Sequence, residues 1–187
     1  MKILAFKSPA EFRRWLETHH ADETGIWLRI FKKDSGAKSI TYAEALDQAL
    51  CYGWIDGLKK SYDERSWIQK FTPRRSRSGW SRLNVGHAER LIKSGHMMPQ
   101  GLAAIEAAKA DGRWQAAYDS PRNAAPPEDF LAALKKDSKA LAFFKSLNKA
   151  NVYAIVYRLQ TAKKPETRAR RMKLILEMLS QGKSFHP

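Results

Sequence analysis

The spacing of apolar residues changes near Pro73, and that change restricts the chain to an α+β fold. Before it, two-residue alternation recurs. Ile26, Leu28 and Ile30 alternate with Trp27, Arg29 and Phe31 over residues 25–33. This is the pattern of a strand with one buried face and aromatics on the other. Trp67 to Phe71 alternates again and is stopped by Pro73. Ile3–Phe6 is a short strand, and Trp54-Ile55-Asp56-Gly57 reads as a strand running into a turn. Two helices interrupt these strands, each opened by a capping box. Ser8-Pro9-Ala10-Glu11 starts one over about residues 9–20, and Thr41-Tyr42-Ala43-Glu44 starts one that Gly53 ends. The expected N-terminal part is a small, mostly antiparallel sheet with two helices.

After Pro73 only helical spacing appears. Helices are expected over 88–93, 99–110, 128–135 and 138–147. Another follows Asn148, with Val152, Ile155, Val156 and Leu159 at i, i+3, i+4 and i+7. Lys164-Pro165 breaks the chain before a last helix that reaches about Leu179. Residues 119–127 have the Pro- and Asn-containing composition of a linker. The expected division is therefore an α+β lobe over 1–118 and a helical lobe over 119–187, packed as one unit.

Charge is the compositional outlier. The 34 Lys and Arg against 19 Asp and Glu give a net +15, a field that attracts anionic partners. Cys51 is the single cysteine, so no internal disulfide can form, and a reducing compartment suits it. The apolar run at Ile3–Phe6 is shorter than the ~7–15 residues of a secretory signal core. No stretch approaches the ~20 apolar residues of a membrane span. These features lead us to expect a cytoplasmic protein. The histidines, His19, His20, His87, His96 and His186, fall at no metal-ligand spacing, so no metal site is expected. The Walker pattern of a phosphate loop does not occur, nor does the Gly-x-Ser-x-Gly elbow of a serine hydrolase.

The excess charge is localised. Residues 57–95 carry a net +7 and residues 158–183 a net +6, the latter including Lys163 and Lys164. The first segment mixes Arg74, Arg75 and Arg77 with Ser76, Ser78, Trp80, Ser81 and Asn84. Guanidinium forks match phosphate and carboxylate oxygens bidentately, and hydroxyls add donors. In the last helix Arg168 and Arg171 are three residues apart. Two roles suit Asp56: an acid that orients Arg74 or Arg75, or a carboxylate that caps a turn. Trp54 and Trp80 suit stacking on a ligand or burial in a core.

Ordered motifs run through these segments: Cys51-Tyr52-Gly53-Trp54-Ile55-Asp56-Gly57, Phe71-Thr72-Pro73-Arg74-Arg75 through Trp80-Ser81-Arg82-Leu83-Asn84, Gly95 to Gly101, Gly112-Arg113-Trp114, and Ala162 to Arg171. Together they resemble the bacterial YdeI/OmpD-associated, or bacteriocin-protection, family over almost the whole chain. The resemblance implies a link to tolerance of bacteriocins, cationic antimicrobial peptides and envelope stress. It implies no reaction, cofactor or catalytic residue.

The expected site combines Trp54, Asp56, Arg74, Arg75, Trp80, Ser81, Asn84, Arg168 and Arg171, holding a small anionic or phosphorylated ligand in a basic cleft. The alternatives are sequence-independent binding of nucleic acid, or another polyanion, through a broad basic surface, and an enzyme in which Asp56 acts as acid or base. The residues favour binding over catalysis. No cofactor is expected, and the oligomeric state is left open.

Overall fold

A computed structural model describes residues 1–162 and 164–187; Lys163, counted above in the second basic segment, lies outside the described residues. The fold is α+β. In chain order it comprises β1 (Lys2–Leu4), α1 (Pro9–His19), β2 (Ile26–Phe31), a 3-10 turn (Lys33–Ser35), α2 (Tyr42–Cys51), β3 (Trp54–Asp63), β4 (Ser66–Pro73), α3 (Arg82–Lys93), α4 (Pro99–Ala110), α5 (Glu128–Leu134), α6 (Ser138–Ser146), α7 (Lys149–Gln160) and α8 (Pro165–Ser180). The chain divides into two compact units. One holds Met1–Ser78 with Asn84–Trp114, and the other Gly79–Leu83 with Gln115–Pro187.

In the first unit the strand order is β1-β2-β4-β3. β1 runs parallel to β2, and the other two pairings are antiparallel, so the sheet is mostly antiparallel as its patterning indicates. Ile26, Leu28 and Ile30 are buried on one face. On that face Phe12 of α1 meets Phe71 edge-on at 6.0 Å, and Trp15 meets Trp54 at 5.7 Å. Both capping residues act as the sequence indicates. Ser8 Oγ accepts from the Glu11 N–H, and Thr41 with Glu44 forms a reciprocal box. Gly53, with φ of 72°, ends α2 in the left-handed region that favours glycine.

Two elements differ from the sequence reading. Trp54–Gly57 does not run into a turn at Gly57. β3 continues to Asp63 through a register shift between Asp56 and Lys59, and the reversal comes at Glu64-Arg65. Its second half, Leu58–Asp63, is exposed throughout, and an edge strand with no buried face has no alternation to detect. Likewise α3 begins at Arg82 rather than Ala88. Only Asn84, Ala88 and Leu91 of that helix are buried, so its first turn shows no apolar stripe.

The second unit is helical. Its core gathers Phe130 and Leu134 of α5, Ala140 of α6, Ile155 and Leu159 of α7, and Ile175 and Leu179 of α8. The i, i+4 pairs 155/159 and 175/179 point inward because helical spacing stacks them on one face. Asn148 caps α7, its Oδ1 accepting from the Asn151 N–H at 2.9 Å. Among the described residues no helix is long and apolar enough to cross a membrane.

Candidate functional site

The expected site residues divide between the units. In the first, Trp54 is fully buried and its indole N–H donates to the His20 carbonyl at 2.8 Å. Asp56, on the same face of β3, accepts from the Tyr42 hydroxyl at 2.8 Å. Burial first, and then this carboxylate, push the Tyr42 phenol well above its ordinary range. Arg74 follows β4, its backbone N–H donating to Gly53 O at 2.9 Å. Arg75 is exposed in the next turn. Its N–H donates to Ser78 Oγ, and the Ser78 N–H donates back to Arg75 O. Asn84 is buried in α3. The local pairing of Trp54 with Pro73 thus brings the start of β3 beside the Arg74-Arg75 segment.

In the second unit Trp80 is buried, and Ser81 bridges to Tyr118. Arg168 and Arg171 share α8 but serve different neighbours. Arg168 forms a bidentate pair with Asp129 of α5, at 2.5 and 2.8 Å. That guanidinium is the main cause holding the Asp129 carboxyl below its ordinary value. Arg168 also edges an apolar groove of about 470 Å³ with Pro165, Met172 and Leu176.

Arg171 points instead to α7. Its Nη1 donates to the Arg158 carbonyl at 2.7 Å and to Thr161 Oγ1 at 3.4 Å. A guanidinium there complements the negative end of α7. Arg158 donates through Nη1 to Ala154 O at 3.0 Å, and its guanidinium carbon stands 3.8 Å from the centre of the Phe185 ring. The two arginines, Thr161, Tyr157 and Phe185 line a cavity of about 460 Å³ together with Leu174 and Ile175. Each guanidinium has five donors, and among the described residues no carboxylate pairs with either one. Both retain N–H groups for an incoming acceptor. The cavity thus sets two guanidiniums beside Tyr157 and Phe185.

Sequence reasoning placed Arg171 in a site but not Arg158, Tyr157, Thr161 or Phe185. One signal was available: Arg158 falls outside the 152/155/156/159 apolar stripe of α7. Phe185 had none, because a fold of the tail brings it there. Asn151, buried within α7, accepts from the N–H groups of Phe185 and His186 at 3.0 and 2.9 Å and donates to His186 O at 3.2 Å.

Residues 4–104, more than half of the chain, match the family described as Domain of unknown function (DUF8412). The chain belongs to that DUF8412 family. Residues 123–182 match a second family, described as Bacteriocin-protection, YdeI or OmpD-Associated. The resemblance read from the motifs is therefore confirmed for the helical unit and is narrower than the motifs indicated. The motifs at 51–57, 71–84, 95–101 and 112–114 lie outside that match, the first three of them within the DUF8412 match. Apart from Phe185, every residue lining the Arg158–Arg171 cavity lies within the bacteriocin-protection match. No curated protein and no solved structure matches the chain significantly.

Proposed function

We propose that the protein binds a small anionic ligand, carrying phosphate or carboxylate oxygens, in the cavity between α7 and α8. The observation that supports this is the convergence of Arg158 and Arg171 on one cavity with no carboxylate on either. Half-buried cations without a counter-charge favour an incoming anion. Tyr157 and Phe185 suit a ligand with a flat apolar part beside its charge.

The family description of this region names bacteriocin protection. A chain of net +15 repels cationic peptides, so direct capture of such a peptide is the less favourable route. In this reading the protein acts in the cytoplasm on a small charged metabolite, and protection follows indirectly.

The test is a thermal-shift and calorimetric screen against phosphate, pyrophosphate, nucleotides, sugar phosphates and dicarboxylates. A ligand at ~100 Kd stabilises by about 2.7 kcal/mol, roughly 5–10 °C in Tm for a chain of this size. Arg158→Ala is expected to weaken binding at least tenfold, the loss of about one charge-assisted hydrogen bond. If no anion shifts Tm, or if binding survives Arg158→Ala intact, the reading is wrong.

A further inference from the structure

The face of the sheet opposite α1 and α2 has a composition that the anion cavity does not explain. The packing residues named for those helices, Phe71 and Trp54, lie on one face with Ile26, and Trp67 lies on it opposite Ile30. The register sets three cross-strand rows on the other face. Ile3, Trp27 and Lys70 form the first, Arg29, Ile68 and Lys60 the second, and Phe31, Ser66 and Asp63 the third. Tyr62 joins the third row at a shift in the register. Ile3 is 45% and Tyr62 47% exposed, and Lys60 is exposed as well.

Cations lie over the aromatic rings. Lys60 Nζ is 5.2 Å from the Trp27 ring centre, and Arg29 Cζ is 4.4 Å from Phe31 and 4.8 Å from Tyr62. Each of these cations lies against the π-face of its ring, and Arg29 stands between Phe31 and Tyr62. The one carboxylate in these rows, Asp63, is occupied by Arg29 at 2.6 Å and by Ser66 Oγ at 2.7 Å. Lys60 and Lys70 have no ion-pair partner among the described residues.

We propose that this face binds single-stranded nucleic acid, with bases stacking on Trp27 and on the exposed Tyr62 and phosphates taken by Lys60 and Lys70. Flat rings interleaved with cations are the two components of sequence-tolerant single-strand binding. A base that stacks on Trp27 displaces the Lys60 ammonium, which reaches the adjoining phosphate. A lipid surface would favour an apolar face, whereas here cations lie against the rings. The overall +15 speeds encounter with any polyanion but does not select this face; the rings do.

The experiment is fluorescence anisotropy of labelled 12-mer oligo(dT) and oligo(U) with the full chain across a salt series. Trp27→Ala is expected to weaken binding roughly tenfold, as loss of one stacked base does, with Trp27→Phe retaining most of it. The pair Lys60→Ala and Lys70→Ala is expected to lower the slope of log K against log salt by about 1.4, or ~0.7 per phosphate contact. Lys135→Ala with Lys136→Ala, a charge-matched change of exposed residues in the helical unit, is the control. Equal losses in the control, no effect of the Lys60/Lys70 pair, or binding to phosphatidylglycerol vesicles without binding to either oligonucleotide overturns the proposal. Circular dichroism checks folding; should Trp27→Ala unfold, the lysine pair still decides. Arg158 belongs to the other unit and is left unchanged in these variants, so failure here is distinguishable from failure of the anion cavity.

Discussion

Gly101 occupies a place where no side chain fits. A Cβ there would lie 2.4 Å from the Cys51 carbonyl oxygen, 2.8 Å from that of Leu50 and 2.4 Å from Met97 Sδ. Helix propensity alone favours alanine over glycine in α4 by about 1 kcal/mol. Two of the three clashes are with backbone at the end of α2, which cannot rotate away as a side chain can, so overlap outweighs propensity. Gly101→Ala is expected to destabilise by about 2 kcal/mol, measured by urea unfolding; a stabilised variant would show that α2 and α4 separate freely. The same scale explains the divergence of Arg168 and Arg171. Three residues apart on α8, they read as one pair. Helix geometry places residues i and i+3 as neighbours, but Asp129 on one side and the end of α7 on the other draw them apart. That choice rests on partners 39 and 13 residues away, which no local spacing encodes.

At the scale of elements, α7 carries two asparagines with different work. Asn148 caps the helix through one backbone N–H, and Asn148→Ala is expected to cost about 1 kcal/mol. Asn151 accepts two N–H groups and donates to one carbonyl of the tail while 3% exposed. Removing it leaves buried backbone groups unsatisfied, so Asn151→Ala is expected to cost more than Asn148→Ala in the same denaturation assay. It should also free Phe185 from Arg158 and weaken anion binding, although Asn151 does not line the cavity. Equal costs with unchanged affinity would remove the tail from the account. The caps and the apolar stripes of α1, α2, α7 and α8 were legible in the sequence because each is a local pattern. The second half of β3 was not, since Leu58–Asp63 is held by pairing with β4 and not by its own burial.

At the scale of the whole molecule, the Asp63, Asp129 and Asp137 carboxyls have depressed pKa values. Asp63 is lowered chiefly by the Ser66 hydroxyl, Asp129 by Arg168 and Asp137 by the Ala140 N–H at the start of α6. A depressed folded pKa stabilises the native state above the unfolded value of ~3.9, and that contribution is lost as pH falls through the lower folded value. Thermal midpoints should be flat above pH ~5 and decline below pH ~4, with each exposed group contributing little. Asp129→Asn is expected to lower the midpoint at neutral pH and flatten part of the acid limb; an unchanged limb would show that Arg168 does not act through this charge. By itself the sequence determined the α+β class, the mostly antiparallel sheet, the helical C-terminal half and the basic character of the chain. Periodicity, capping and composition are properties of neighbouring residues, so they survive without a fold. Only the tertiary structure decided that Arg158 and Phe185 join Arg171 around one cavity, that Asp129 claims Arg168, and that Trp27, Phe31 and Tyr62 share one sheet face with Lys60 and Lys70. Those groupings depend on strand register and on which helix faces which, and they join residues that lie far apart along the chain.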